Sequence, residues 1–223
     1  MSGAAAGTAP TLAQLNALGV TGVTADNLAA VQAAIAATAN DGSGVDSLSE
    51  LQTIASNAAA QAAAAITTIS DAAQANTATA TTPAATVYSA AGVTGVTDGN
   101  LAAINNALNS AAVTGALTDT AAEIQDLVTA YVAILAGADA DASNDNATAI
   151  TAQYTAIGVT DATDRTTSLV NDRIDGLSAT EVDTVAQVQA LVSAAAAVMS
   201  GAAAGTAPTL AQLNALGVTG VTA

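Results

Sequence analysis

The stretch "LGVTGVTADNLAAVQAAI", residues Leu18–Ile35, decides the fold because the chain repeats it. It returns as "AGVTGVTDGNLAAINNAL" (Ala91–Leu108) and, in altered form, as "IGVTDATDRTTSLVNDRI" (Ile157–Ile174). Its opening returns once more as "LGVTGVTA" (Leu216–Ala223). Recurrence at this spacing is typical of repeat proteins, in which each repeat is one supersecondary unit that shares its core with its neighbours.

A longer repeat encloses this one, since residues Met1–Ala25 and Met199–Ala223 are identical. The period from Met1 to Met199 is 198 residues, which the shorter repeat divides into units of about 66 residues. We therefore predict one helical repeat unit in residues 1–80, a second in 81–147, a shortened third in 148–200, and the start of the next in 201–223. On this interpretation the chain is a window cut from a longer repetitive protein.

In each copy, apolar residues at helical spacing alternate with residues that typically end a helix. The leucines of "PTLAQLNALG" fall three apart, and Gly19 is predicted to end that short helix in a left-handed conformation. The valines of "GVTGVT" are expected to reach the core, and Thr24 to cap the next helix. Joints between the units are predicted at Thr77–Pro83 and Gly137–Asn146, where breaker residues accumulate.

A second motif follows each copy of the first and predicts the start of a long helix. It has the pattern S/T-x-x-E/Q, a capping box in which the hydroxyl accepts the N3 amide proton and the N3 side chain accepts the cap amide proton. The three pairs are Ser47 with Glu50, Thr120 with Glu123, and Thr184 with Gln187. We therefore predict an all-α fold of three-helix units, short, medium and long, stacked into an elongated helical array.

The composition excludes most site chemistries. The chain has a net charge of −16, with two arginines as its only basic residues, and contains no His, Cys, Trp or Phe. Zinc, haem, disulfide and thiol chemistry need residues that are missing, and binding to nucleic acid or an anionic membrane surface needs basic patches. The most apolar runs are short and alanine-rich, so we predict no membrane insertion. Because few of the residue types that catalysis uses are present, we also predict no enzymatic activity.

The two motifs together resemble the alanine-rich tandem repeats of very large bacterial surface proteins, the adhesin and biofilm class, many of them exported by type I secretion. The likeness rests on "LGVTGVTADNLAAV" followed by "VDSLSELQ" or "VDTVAQVQ", and it covers nearly the whole chain. The third copy departs from it, with "GVTDAT" for "GVTGVT". The resemblance implies an extracellular stalk at the bacterial cell surface and carries over no catalytic or binding residues.

One acidic segment is a weak calcium candidate. Asp139, Asp141, Ser143 and Asp145 alternate as in the first half of a calcium loop. The loop has Asn144 at its sixth position and Ile150 at its twelfth, where such loops use glycine and glutamate. A solvated acidic turn is the favoured interpretation, and no other cofactor is expected.

Our leading functional hypothesis is a structural spacer or stalk segment without catalysis. The alternative is a self-assembling extracellular filament or surface-layer subunit whose chains join end to end. The predicted partners are accordingly neighbouring repeats of the same chain or identical chains. Ice binding and the binding of a host protein are lower alternatives, because the threonines keep no helical period and only three tyrosines could anchor a partner: Tyr88, Tyr131 and Tyr154.

Overall fold

The computed structural model describes residues 9–39, 41–75, 82–141 and 148–222. Over these residues the protein is all-α, as predicted, with no strand beyond one isolated bridge between Asp139 and Ser178. The helices are, in chain order, α1 (Leu12–Ala17), α2 (Ala25–Ala36), α3 (Leu48–Ala75), α4 (Ala85–Ala90), α5 (Leu101–Leu108), α6 (Ala121–Ala136), α7 (Thr151–Ala156), α8 (Asp164–Asp175), α9 (Val185–Ala204) and α10 (Leu210–Ala215). Short 3-10 turns at Gly115–Leu117 and Ala179–Glu181 precede α6 and α9.

The chain divides into two compact units. The first contains Met1–Gln74, Thr81–Val96 and Gly115–Gln125, and the second contains Ala75–Ala80, Thr97–Thr114 and Asp126–Ala223. The middle part of the sequence thus contributes residues to both units. Units defined by packing and units defined by sequence repetition are different divisions, so the boundaries 1–80, 81–147, 148–200 and 201–223 stay predictions.

The core of the first unit joins α1, α2 and α3 through the valines between them. The buried residues of this cluster are Leu15, Val20, Val23, Val31, Ile35, Val45, Leu51, Ala55 and Ala58. Farther along, α3 continues to bury alanines at helical spacing, with Ile69 fully buried among them. Small side chains let neighbouring helices approach closely, which is how an alanine-rich chain obtains a packed core.

The second unit is organised around α9. This helix contacts α5, α8 and α10 and buries Val185, Val188, Leu191, Val192, Ala194 and Ala195. Of the described helices, α9 alone is long and apolar enough to cross a membrane by length and composition, a property the short runs considered in the sequence did not reveal. It ends at Gly205, which takes a left-handed conformation with φ of 68°.

The predicted joints lie largely outside the described residues. Residues 76–81 and 142–147 belong to that part of the chain, so the joints at Thr77–Pro83 and Gly137–Asn146 stay predictions for those positions. The described flanks place the end of α3 at Ala75 and the start of α4 at Ala85.

Candidate functional site: the GVT motif and its clamp

Four segments share one local structure, a six-residue helix followed by a glycine turn. We call this the GVT motif, and it comprises residues 11–24, 84–97, 150–163 and 209–222. In the first copy the N–H of Val20 donates to the carbonyl of Leu15, and the N–H of Gly19 donates to that of Asn16. The same pair of bonds closes the other three copies. This is a Schellman motif, which requires a residue with positive φ.

The glycines that lead the turn supply this conformation. Their φ angles are 89° at Gly19, 82° at Gly92, 90° at Gly158 and 77° at Gly217. A side chain in this region would be strained, so the sequence keeps glycine at each turn. Pro10 lies just before the cap residue Thr11 and outside the helix, which begins at Leu12.

The turn of the first three copies inserts its valine into the core. Val20, Val93 and Val159 are buried, and so is the residue five positions earlier in each copy: Leu15, Tyr88 and Tyr154. Two of the three tyrosines therefore fill a leucine position of the repeat. The third, Tyr131, is buried on α6 and donates its hydroxyl proton to the carbonyl of Val182 at 3.2 Å. Burial raises the pKa of all three hydroxyls.

A glutamine side chain of the long helix forms hydrogen bonds with the threonine that follows this valine. The side-chain oxygen of Gln52 accepts the main-chain N–H of Thr21 at 2.9 Å, and its nitrogen donates to the carbonyl of the same residue at 3.0 Å. The threonine hydroxyl also donates to the glutamine oxygen at 3.3 Å. We call this three-bond arrangement the clamp.

The clamp recurs in the other two repeats with nearly the same distances. In Thr94 with Gln125 the two main-chain bonds are 2.8 and 3.1 Å, and in Thr160 with Gln189 they are 2.8 and 3.2 Å. The hydroxyl bond is 3.3 Å in both. Only a primary amide offers a donor and an acceptor side by side, so glutamate at these positions would lose the bond to the carbonyl.

The capping box of each repeat positions the clamp. The hydroxyl of Ser47 donates to Glu50 at 2.8 Å and accepts the Glu50 N–H at 3.3 Å, and the main-chain N–H of Ser47 also donates to Glu50. The pairs Thr120 with Glu123 and Thr184 with Gln187 make the same three bonds. The clamp glutamine lies two residues after each of these N3 residues, so a fixed helix start places the amide beside the threonine.

The acidic residue before the cap and the capping glutamate shift each other's pKa in opposite directions. A hydrogen bond from Thr120 lowers the pKa of Glu123, whereas a shared hydrogen bond with Glu123 and then the charge of that residue raise the pKa of Asp119. Glu123 therefore stabilises the fold above its unfolded pKa, and this contribution is lost as pH falls through the folded value. Asp119 acts oppositely, since its contribution is present at low pH and is lost as pH rises through its raised pKa.

The opposite side of the glycine turn packs on the preceding repeat. A Cβ added to Gly92 would come 3.0 Å from the main-chain nitrogen of Ala30 on α2, and one added to Gly158 would collide with the hydroxyl of Ser110. At Gly217 it would lie 3.0 Å from the guanidinium of Arg173, whose Nε also donates to the carbonyl of Ala215. The motif is therefore a connection, held by one repeat and packed on the one before it.

The described residues leave the calcium candidate incomplete. Asp139 and Asp141 are described, and the N–H of Asp141 donates to the carboxylate of Asp139 at 3.0 Å. Ser143 and Asp145 lie outside the described residues. Among the described residues no group of three or more acidic side chains could hold a metal ion. The calcium interpretation stays a prediction.

The sequence did not single out the clamp glutamines or Arg173. A signal for the glutamines was present, because the separation of threonine and glutamine is 31, 31 and 29 residues in successive repeats. No comparable spacing points to Arg173, which contacts Ala215 and Gly217 of the fourth motif. Comparisons with protein-family models, with curated proteins and with solved structures gave no match.

Proposed function

We propose that the chain is a structural spacer segment of an extracellular repetitive surface protein, of the adhesin or filament kind, and that it performs no catalysis. The observation that supports this most is the clamp, which ties the same two motifs together in three repeats. In each clamp the glutamine side chain binds the main chain of the threonine, so this side chain serves the architecture of the chain itself.

The proposal includes an elongated stack of the three repeats. Each of the later GVT motifs packs its glycine on the preceding repeat, and three of the four motifs are clamped by the long helix of their own repeat. The second and third motifs therefore contact two consecutive repeats. Such nearest-neighbour contacts are how solenoid proteins propagate. A net charge of −16 would also keep a long array soluble and extended.

A surface-display experiment tests the spacer role. The chain is placed between an outer-membrane anchor and a fluorescent terminal label, with one, two or three 198-residue periods. The expected result is a label height above the membrane that grows in proportion to the number of periods. A glycine-serine linker of equal length is the control, since its reach grows only as the square root of its length. A height that follows the control rules out the spacer role.

A further inference from the structure

The short helix α10 obtains the last of its hydrogen bonds from the preceding repeat. A helix of six residues has no intrahelical donor for its last carbonyls. The amides of the glycine turn supply three donors, to the carbonyls of Gln212, Leu213 and Asn214. The next carbonyl, that of Ala215, accepts the Nε proton of Arg173 on α8 at 3.2 Å. Arg173 therefore completes this helix C-terminus from another repeat.

The guanidinium of Arg173 lies where two helix ends meet. Arg173 belongs to the last turn of α8, and it binds the last carbonyl of α10. Helix C-termini carry a negative partial charge, so a cation placed there stabilises both helices. A hydrogen bond from a charged donor is also stronger than one between neutral groups. Arg173 thus supplies a cation that α10 lacks in its own last turn.

Acidic side chains lie close to Arg173 in the chain. Asp172 and Asp175 share its turn of α8, and Glu181 belongs to the 3-10 turn that follows. The carboxylate of Glu181 accepts the main-chain proton of Ser178 at 2.9 Å and its hydroxyl proton at 2.8 Å. These two bonds, and then the charge of Arg173, lower the pKa of Glu181. Loss of the cation would leave acidic side chains and two helix C-termini at this junction.

The two earlier junctions between repeats use uncharged contacts. The first packs its turn glycine on the main chain of α2. In the second, the hydroxyl of Ser110 donates to the carbonyl of Ile157 in a long bond of 3.5 Å. Ala34 and Ala107 hold the next-to-last position of the repeated stretch, where the third repeat has Arg173. The charged contact is therefore a property of the third repeat.

We propose that Arg173 is the positioning residue of the junction between one 198-residue period and the next. Residues Met199–Ala223 repeat Met1–Ala25, so α10 belongs to the next period. The guanidinium caps this helix from the repeat before it, whereas the junctions inside a period are uncharged. The strength of the period boundary therefore depends on charge. The inference rests on the proposed array, and its test measures local opening rather than reach, so the two can fail separately.

Amide hydrogen exchange measured by NMR tests this role, because the same turn bonds occur in every motif. Gly217 and Val218 report the opening of the fourth motif. Gly19 and Val20 report the first motif, whose identical local sequence gives the same intrinsic exchange rate. Arg173→Met keeps a long side chain but removes the cation, so exchange in the fourth motif should become about tenfold faster. Exchange in the first motif should not change.

Two further variants separate the charge of Arg173 from its packing. Arg173→Lys restores a cation with donors, so it should recover part of the protection. Arg165→Met is the matched control, because Arg165 is exposed on the same helix and the same charge is removed. Arg173→Met that exchanges no faster than Arg165→Met, or no faster than Arg173→Lys, would overturn the proposal. So would an equal increase in all motifs, which would mean that Arg173 supports one shared core.

A salt titration of the unchanged chain decides the case in which Arg173→Met fails to fold. Raising the ionic strength from about 0.1 to 1 M shortens the screening length from about 10 to about 3 Å. The exchange rate of Gly217 should then rise relative to that of Gly19, and the comparison cancels effects of salt on the whole chain. Gly158, whose junction is uncharged, should keep a constant ratio to Gly19. A constant ratio for Gly217, or an equal rise for Gly158, would contradict a charged junction.

Discussion

Gln52 shows how much of this fold depends on one primary amide. Its oxygen accepts two protons from Thr21 and its nitrogen donates to the carbonyl of that residue, so an otherwise unpaired turn acquires the hydrogen bonds of a strand partner. The turn is far from α3 in sequence and gains its position from this side chain. Each long helix thus positions a glycine turn, because its clamp glutamine binds the threonine of that turn.

Replacing Gln52 by alanine should destabilise the chain by about 1–3 kcal/mol, because each lost hydrogen bond contributes roughly 0.5–1.5 kcal/mol net. Gln61→Ala is the control, since Gln61 is exposed on the same helix and the change in helix propensity is the same. The measurement is the urea midpoint of both variants. Equal midpoints would mean that the clamp contributes nothing to stability.

At the residue scale the sequence predicted caps better than clamps. Ser47 and Glu50 lie three residues apart, and a local rule connects their side chains. Thr21 and Gln52 lie 31 residues apart, and no local rule connects them. Their pairing depends on how α2 and α3 pack, so it became visible only when the tertiary structure was known. The burial of the tyrosines could not be predicted from local rules either, because it depends on how the helices around each of them pack.

At the scale of elements, the six-residue helices are too short to be stable alone, since isolated helices need about 12–15 residues. Threonine caps begin α1 and α10, and a Schellman motif ends all four of the short helices, so these main-chain groups gain partners. Their positions are then set by packing against neighbours on both sides. The glycine of the turn is the closest point of that packing.

Gly158→Ala should therefore cost more than the backbone strain alone. The left-handed conformation costs about 1–3 kcal/mol for a residue with a side chain, and the new methyl group would also collide with Ser110. Gly22→Ala is the control, because Gly22 has φ of 80° and no atom within 4 Å of the added group. Thermal unfolding should show the larger loss for Gly158→Ala.

A second substitution checks the cause of that loss. Ser110→Ala combined with Gly158→Ala should restore part of the stability, because the hydroxyl of Ser110 is the atom nearest the new methyl group. If the loss in Gly158→Ala equals that in Gly22→Ala, the contact with the preceding repeat is unimportant.

The extent of the helices was only partly predictable from the sequence. Helical spacing and capping boxes predicted an all-α chain correctly, because both signals are local. The capping box of Thr184 and Gln187 predicted the start of the long helix Val185–Ala204 correctly. That this helix is long and apolar enough to cross a membrane was not anticipated, since its small and apolar residues do not form one continuous apolar run. Continuity of a helix depends on packing along its whole length, which local composition does not report.

At the scale of the whole molecule, we propose an array of repeats that transmits position along one chain. Its parts are the clamp within each repeat and the glycine contact to the repeat before it. Both are nearest-neighbour interactions, so the length of the molecule should increase with each added repeat. A single compact core would instead grow in volume.

Small-angle X-ray scattering on chains of two lengths tests this claim most directly. The longer chain carries residues 26–223 again after Ala223, which continues the repeat in register. For compact bodies the radius of gyration follows roughly the 0.38 power of length, so one added period would raise it only about 1.3-fold. The array predicts an increase that approaches about 1.9-fold, the ratio of the chain lengths. A ratio near 1.3 would contradict the account.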